Sequence, residues 1–169
     1  RYAIKAIETI RLSYNVYITG NSDDANQCIA EAAHLAGKAI NITKTTAPHA
    51  ISYTLTSKFN VPHGHAVALC LRNMFLINEK NHNNEALTAT LAEIYSALAI
   101  EGALAAKDLL NSFMMLGGLE VSLVKLGVTT EADIKCIVDG VNVERLGNHP
   151  VKLNDSDIIN LLSDLPAFK

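Results

Sequence analysis

Apolar residues recur at three- and four-residue intervals over most of this chain, the spacing that lines one face of an α-helix, and good strand candidates are absent. The opening segment RYAIKAIETIRLSYNVYI sets Ala3, Ile7, Ile10, Tyr14 and Tyr17 on one face through about residue 18, and Gly20 ends it. Ser22 is placed to cap a second helix over about 23–40, with Ala25, Ile29, Ala32, Ala36 and Ala39 on one side, where small side chains permit close helix approach. NITKTTAP breaks the rhythm. Thr45 or Thr46 suits the cap, and Pro48 the first turn, of a short helix over 48 to about 57, with a turn through KFNV after it. Pro62 opens a helix to about 78, and NEKNHNNE is a polar connector. EALTATLAEIYSALAI and GALAAKDLLNSFMMLGG then form two helices, punctuated by Gly102, Gly117 and Gly118. Thr129 or Thr130 caps a helix over about 131–140, and NDSDIINLLSDL supplies the last, behind Asn154 or Asp155. The pattern predicts one all-α domain over residues 1–169, a bundle of about eight helices without internal repeats.

Composition narrows the class. The chain of 169 residues is 49% apolar and 18% charged, enough for one domain with a hydrophobic core. No stretch approaches the roughly 20 apolar residues of a membrane span, and no signal peptide opens the chain, so no membrane partner is expected. A net charge of −3 gives no basic footprint for nucleic acid. Cys28, Cys70 and Cys136 are odd in number and widely spaced, which fits free thiols filling the core of a cytoplasmic protein. The first residue already lies in helical rhythm with no Met or cap before it, which reads as a piece of a longer protein. Neither G-x-G-x-x-G nor a P-loop occurs, so no recognisable nucleotide loop is present.

The chemistry concentrates in APHAISYTLTSKFNVPHGHAVAL, residues 47–69, which holds three of the six histidines. His49 and His63 each follow a proline. A short helix from His49 rises only about 10 Å, and the extended residues before His63 can span about 20 Å and return the chain to its start. Both imidazoles can then face one point, an arrangement suited to zinc or ferrous iron. Two histidines do not complete such a site, which needs three or four protein ligands. His65 lies two residues beyond His63 and so points roughly 160° away on a helix, unsuited to the same metal. A competing metal reading uses the Glu-x-x-His spacings Glu31/His34 and Glu79/His82, with Glu8 and Glu93 completing a di-iron bundle site.

The H-x13-H-G pattern with proline before the second His resembles the iron-dependent (group III) alcohol dehydrogenase superfamily, which includes 3-dehydroquinate synthases. The likeness extends from PHAISYTLTSKFNVPHGHAVAL to the closing VNVERLGNHPVKLNDSDIINLL. It implies the all-α, C-terminal, metal-binding domain of a two-domain enzyme whose N-terminal domain binds NAD(P)H. By position His49 and His63 match two of the family's four metal ligands, Fe2+ or Zn2+ being the implied ion. The other two fall on Arg1 and Lys5, which cannot ligate while charged; either half the shell is lost or the ligands lay upstream.

Tyr53 stands where many members carry another histidine, four residues after the third ligand, and a phenol there can donate or relay a proton. NITKTTAPHAISY with PHGHAVAL looks most like the branch reducing phosphonoacetaldehyde. That branch implies an anion contact, and Lys44, Thr45 and Thr46 before the Pro48 helix, with His65 after it, are the candidates. The implied function is metal-assisted hydride transfer between NAD(P)H and a small aldehyde, in a homo-oligomer, with the chain alone inactive. A dehydroquinate-synthase-like cyclase is the enzymatic alternative, since HGHAVAL echoes HGEAVA. A non-catalytic helical interaction domain is the other, favoured by Arg1 and Lys5.

Overall fold

The computed structural model describes residues 1–20, 22–81 and 83–162. Among these there are nine helices and no strand: α1 (Tyr2–Thr19), α2 (Asp23–Ile42), α3 (Ala47–Phe59), α4 (His63–Glu79), α5 (Glu85–Leu98), α6 (Gly102–Leu116), α7 (Glu131–Asp139), α8 (Val143–Leu146) and α9 (Asp155–Leu162). Eight correspond to the predicted segments. The ninth, α8, spans only four residues, too few for any apolar period to register in sequence.

The local signals explain most boundaries. Ser22 accepts a hydrogen bond from Ala25 N–H at the start of α2. Thr130 and Asp133 form a reciprocal capping box at α7. Thr46 occupies the N-cap of α3 but makes no side-chain cap bond, and Pro48 sits in the first turn. The helix α3 runs on to Phe59, so Lys58 and Phe59 belong to it rather than to a turn. Phe59 packs against the main core, and Lys58 favours the negative end of the helix.

Helix α4 is the axis of the domain. Ala66, Leu69, Cys70, Met74 and Phe75 are buried on it, and it packs against α3, α5, α6 and α9. One core joins α3 and α4 to Met114, Leu123, Val128, Ile134, Ile137 and the α9 residues Ile158, Leu161 and Leu162. A second, smaller core gathers Phe75, Leu87, Leu91, Ala103, Ala106 and Val151. Of the cysteines, Cys70 is buried as expected, Cys28 is half-buried and Cys136 is exposed, so core filling holds for one of the three.

The α1–α2 hairpin is a thinner attachment. Only Ala6, Ala25 and Ala32 are fully buried on it, consistent with the alanine-lined face of α2. It is tied to the rest by Arg11 Nε donating to the Ala97 carbonyl (2.9 Å) and by the Tyr14 hydroxyl donating to the Phe113 carbonyl (3.0 Å). Leu12, Val16, Ile40 and Ile42 remain exposed on it. No single helix among the described residues is long and apolar enough to cross a membrane.

The segment after α8 is held to α4 through His149, whose Nε2 donates to Asn78 Oδ1 (2.9 Å) while Nδ1 is buried without a protein partner. Burial pushes this imidazole down to about 4. The unfolded chain, with an ordinary histidine near 6.5, therefore binds more protons between about pH 6.5 and pH 4. His149 should contribute stability that is complete above that window and lost as pH falls through it. Urea denaturation at pH 7.5 and pH 5 should show a loss of stability in the parent chain that is smaller in His149→Gln.

Candidate metal and substrate site

The site is made by the turn between α3 and α4. Asn60 ends α3 in the left-handed region (φ 55, ψ 24), and Val61 N–H returns to the Leu55 carbonyl (3.2 Å). This is a Schellman-type reversal, with asparagine at a position most side chains avoid. Pro62 is extended (φ −52, ψ 138), and α4 begins at once with His63. The chain is thereby laid back along α3.

The His63 ring comes to 5.5 Å from His49, centroid to centroid, with the planes tilted by 59°. It stacks on Tyr53 at 5.9 Å with 24° between planes. His49 and Tyr53 are one helical turn apart on the same face of α3. The two imidazoles that the sequence singled out, and the phenol beside them, form one cluster.

These two rings suit a shared metal. An imidazole centroid lies about 3.2 Å from an ion it ligates, so two ligands at a tetrahedral angle have centroids about 5 Å apart. Burial first, then His63, then Arg145 hold the His49 imidazole below its usual value. It therefore stays neutral, the form that ligates, to lower pH than a free imidazole. The donor set stops at two: among the described residues no group of three or more His, Cys, Asp or Glu side chains converges.

Arg145 was not anticipated. It lies on α8, and its guanidinium carbon sits 5.0 Å from the Tyr53 ring centroid. Its Nη1 donates to Thr45 Oγ1 (3.1 Å), and Asn148 Nδ2 donates to the Thr45 carbonyl (3.2 Å). Asn142 caps α8 through Arg145 N–H, and its own N–H reaches the Ala50 carbonyl (3.3 Å). So α8 is clamped across the start of α3. The only sequence signal was that VNVERLGNHP belongs to the closing segment.

The other candidates are dispersed. Lys44 is exposed on the segment leading into α3, and Thr45 is half-buried under Arg145. His65 is not brought to the cluster as a free donor. It is 8% exposed, and its Nε2 is bonded to the Glu120 carbonyl (2.8 Å), as a residue two positions along a helix from His63 should be. Arg1 and Lys5 line a groove with Glu31, Leu35 and Ile42.

The di-iron reading does not hold among the described residues. Glu79 caps α6 by accepting Ala103 N–H (3.0 Å), Glu8 and Glu93 share a groove that contains no histidine, and His34 is exposed. His82 lies outside the described residues.

Comparison with known proteins gives the family and agrees with the fold. The chain belongs to the Fe-containing alcohol dehydrogenase family, whose C-terminal family model matches residues 1–165. A phosphonoacetaldehyde reductase of Streptomyces viridochromogenes is 39% identical over 54 residues, which are 32% of this chain and 14% of that protein. The fold matches a sulfoacetaldehyde reductase of Bifidobacterium kashiwanohense, solved with NAD+, at TM-score 0.83 and 24% identity, covering 99% of this chain and 43% of that one. A variant of an archaeal halo-thermophilic alcohol dehydrogenase from a Red Sea brine pool matches at TM-score 0.83 and 23% identity, over 96% and 43% of the two chains. This chain therefore spans less than half the length of these relatives.

Two imidazoles leave most of a metal's coordination to water, with little preorganised affinity to gain. Isothermal titration of these 169 residues with Zn2+ should give weak binding that His63→Ala abolishes. Tight stoichiometric binding would show that the donor set is larger than the two rings.

Proposed function

We propose that this chain is the metal-binding half of an NAD(P)-linked alcohol dehydrogenase acting as a small-aldehyde reductase. The observation that carries the reading is the meeting of His49 and His63, from two separate helix starts, beside a phenol and a guanidinium. His49 and His63 would hold a divalent metal, Fe2+ in keeping with the family and Zn2+ as the other candidate. The NAD(P)H site would belong to the N-terminal domain of such an enzyme, and the other two ligands are either lost or supplied from upstream of these residues. The exposed apolar face of α1 and α2 supports burial against further protein, in a homo-oligomer or against that domain.

When bound, the metal supplies Lewis-acid polarisation of the aldehyde carbonyl, and the reduced nicotinamide supplies the hydride. What this chain's residues do is position and protonate. His49 and His63, fixed on two packed helices, orient the reacting carbonyl. Tyr53 is half-buried against His63, and its hydroxyl would donate the proton to the product oxygen. The aldehyde then leaves as the alcohol, having gained the hydride and this proton. Solvent restores the phenol.

In the complete enzyme, His49→Ala and His63→Ala should each lose bound metal by elemental analysis and lower aldehyde-dependent NAD(P)H oxidation by at least 100-fold. Full metal occupancy in both variants would defeat the reading. A non-catalytic interaction domain predicts no bound metal even in the parent protein.

The role of Tyr53 is tested separately. Tyr53→Phe should reduce kcat by roughly 100-fold, in the range of general-acid effects, with KM little changed. An unchanged kcat would reduce Tyr53 to packing against His63.

A further inference from the structure

We infer that Arg145 is the specificity-determining residue of this site: it binds a tetrahedral oxyanion carried on the carbon next to the aldehyde. The inference rests on the aldehyde-reductase reading above and names the substrate class that the site selects.

The first support is an unbalanced charge. Arg145 is half-buried, and its one hydrogen-bond acceptor is the neutral hydroxyl of Thr45. Among the described residues the ion pairs are Lys125–Glu120 and Lys135–Asp139, both away from Arg145, and no carboxylate meets its guanidinium. A guanidinium offers five N–H donors in a planar fork, the geometry that grips a phosphonate, sulfonate or carboxylate at two points. One donor is engaged by Thr45. The others are open to an arriving acceptor.

The second is placement. Arg145 and His63 both touch the same ring, that of Tyr53, at 5.0 and 5.9 Å from its centroid. The cation and the imidazole pair therefore border the same phenol. A two-carbon aldehyde with an acidic group on its second carbon carries its carbonyl and its anion one methylene apart, so the groups that bind them must be near neighbours.

The third is electrostatic. A divalent metal on His49 and His63 would add two positive charges near the Arg145 guanidinium, and like charges repel. An anionic substrate between them converts that repulsion into attraction. An uncharged aldehyde leaves it in place. Lys44, the cation that sequence alone suggested, is exposed and solvated, so its contribution should be the smaller. Two relatives, a phosphonoacetaldehyde reductase and a sulfoacetaldehyde reductase, take their names from substrates of this class.

The test uses the complete metal-loaded enzyme with phosphonoacetaldehyde, sulfoacetaldehyde and propanal, an uncharged aldehyde. Arg145→Gln should raise KM for both anionic aldehydes at least tenfold more than it raises KM for propanal. Arg145→Lys should fall between Gln and the parent, because a point charge replaces the fork. Lys44→Ala should shift the anionic KM values in the same direction but less than Arg145→Gln.

A readout without turnover accompanies this. Calorimetric titration with methylphosphonate should show binding to the parent enzyme that weakens at least tenfold in Arg145→Gln. If Arg145→Gln melts too low to assay, Arg145→Lys carries the comparison. Equal losses on charged and uncharged aldehydes would make Arg145 a structural clamp on Thr45 and overturn the proposal. A rise confined to the KM for NAD(P)H would reassign it to the cofactor and overturn it equally. Propanal reduced as well as the anionic aldehydes by the parent enzyme would refute the anion site and leave the reductase standing, whereas no turnover of any aldehyde would refute the reductase reading itself.

Discussion

The constraint on which the site depends is the reversal at Asn60, Val61 and Pro62. A proline ring disfavours the helical conformation at Val61, and Asn60 can adopt a left-handed backbone with less penalty than most residues. Together they stop α3 and restart the chain as α4 within three residues. A longer linker would let His63 drift away from α3. A continuous helix would place it more than three turns from His49, on the same rod and far out of reach. The short, extended return seats the His63 ring on Tyr53 and beside His49. Because α4 is also heavily buried along its length, the backbone position of the exposed His63 is set by core packing rather than by a flexible loop.

The electrostatics of the cluster follow from this closeness. Two imidazoles and a guanidinium around one phenol are all potential cations, and no carboxylate among the described residues offsets them. Burial first, and then the neighbouring charges, disfavour the protonated form of His49. A neutral imidazole is a ligand, so the burial and repulsion that keep protons off His49 leave it available to a metal. The positive field then remains as a feature of the site, and it discriminates among substrates by their charge.

Much of this was legible in the sequence, and the failures have physical causes. Long amphipathic segments announce themselves by period, and caps such as Ser22 and Thr130 are read from residue type. The His49–His63 pairing was legible because two Pro-His steps and a short return distance limit where the chain can go. The length of α3 was misjudged because Lys58 and Phe59 look like turn residues until the core against Phe59 is known. Helix α8 is a single turn and carries no periodic signal. Arg145 was missed for that reason and for another: it meets Thr45 across 100 positions of sequence, a contact fixed only by tertiary structure. The di-iron alternative failed in the opposite way. Its Glu-x-x-His spacings exist locally, but Glu79 is committed to capping α6 and the remaining carboxylates lie in separate grooves.

The distribution of packing across the domain also bears on how the site works. Helices α3, α4, α7 and α9 share the main core, so His49, Tyr53 and His63 rest on its most tightly buried elements. The α1–α2 hairpin buries chiefly alanines and keeps large apolar side chains at its surface. Alanine burial removes little apolar area from water, so the hairpin gains little from its own contacts. Its two long-range hydrogen bonds, from Arg11 and Tyr14, fix its register on α5 and α6 more than its stability. The rigid part of the domain thus presents the histidines, and the loosely held part presents apolar surface to whatever covers it. Any surface that packs on α1 and α2 adds burial where this chain has least. That burial would consolidate the hairpin without disturbing the separation of His49 and His63, which the α3–α4 reversal has already set.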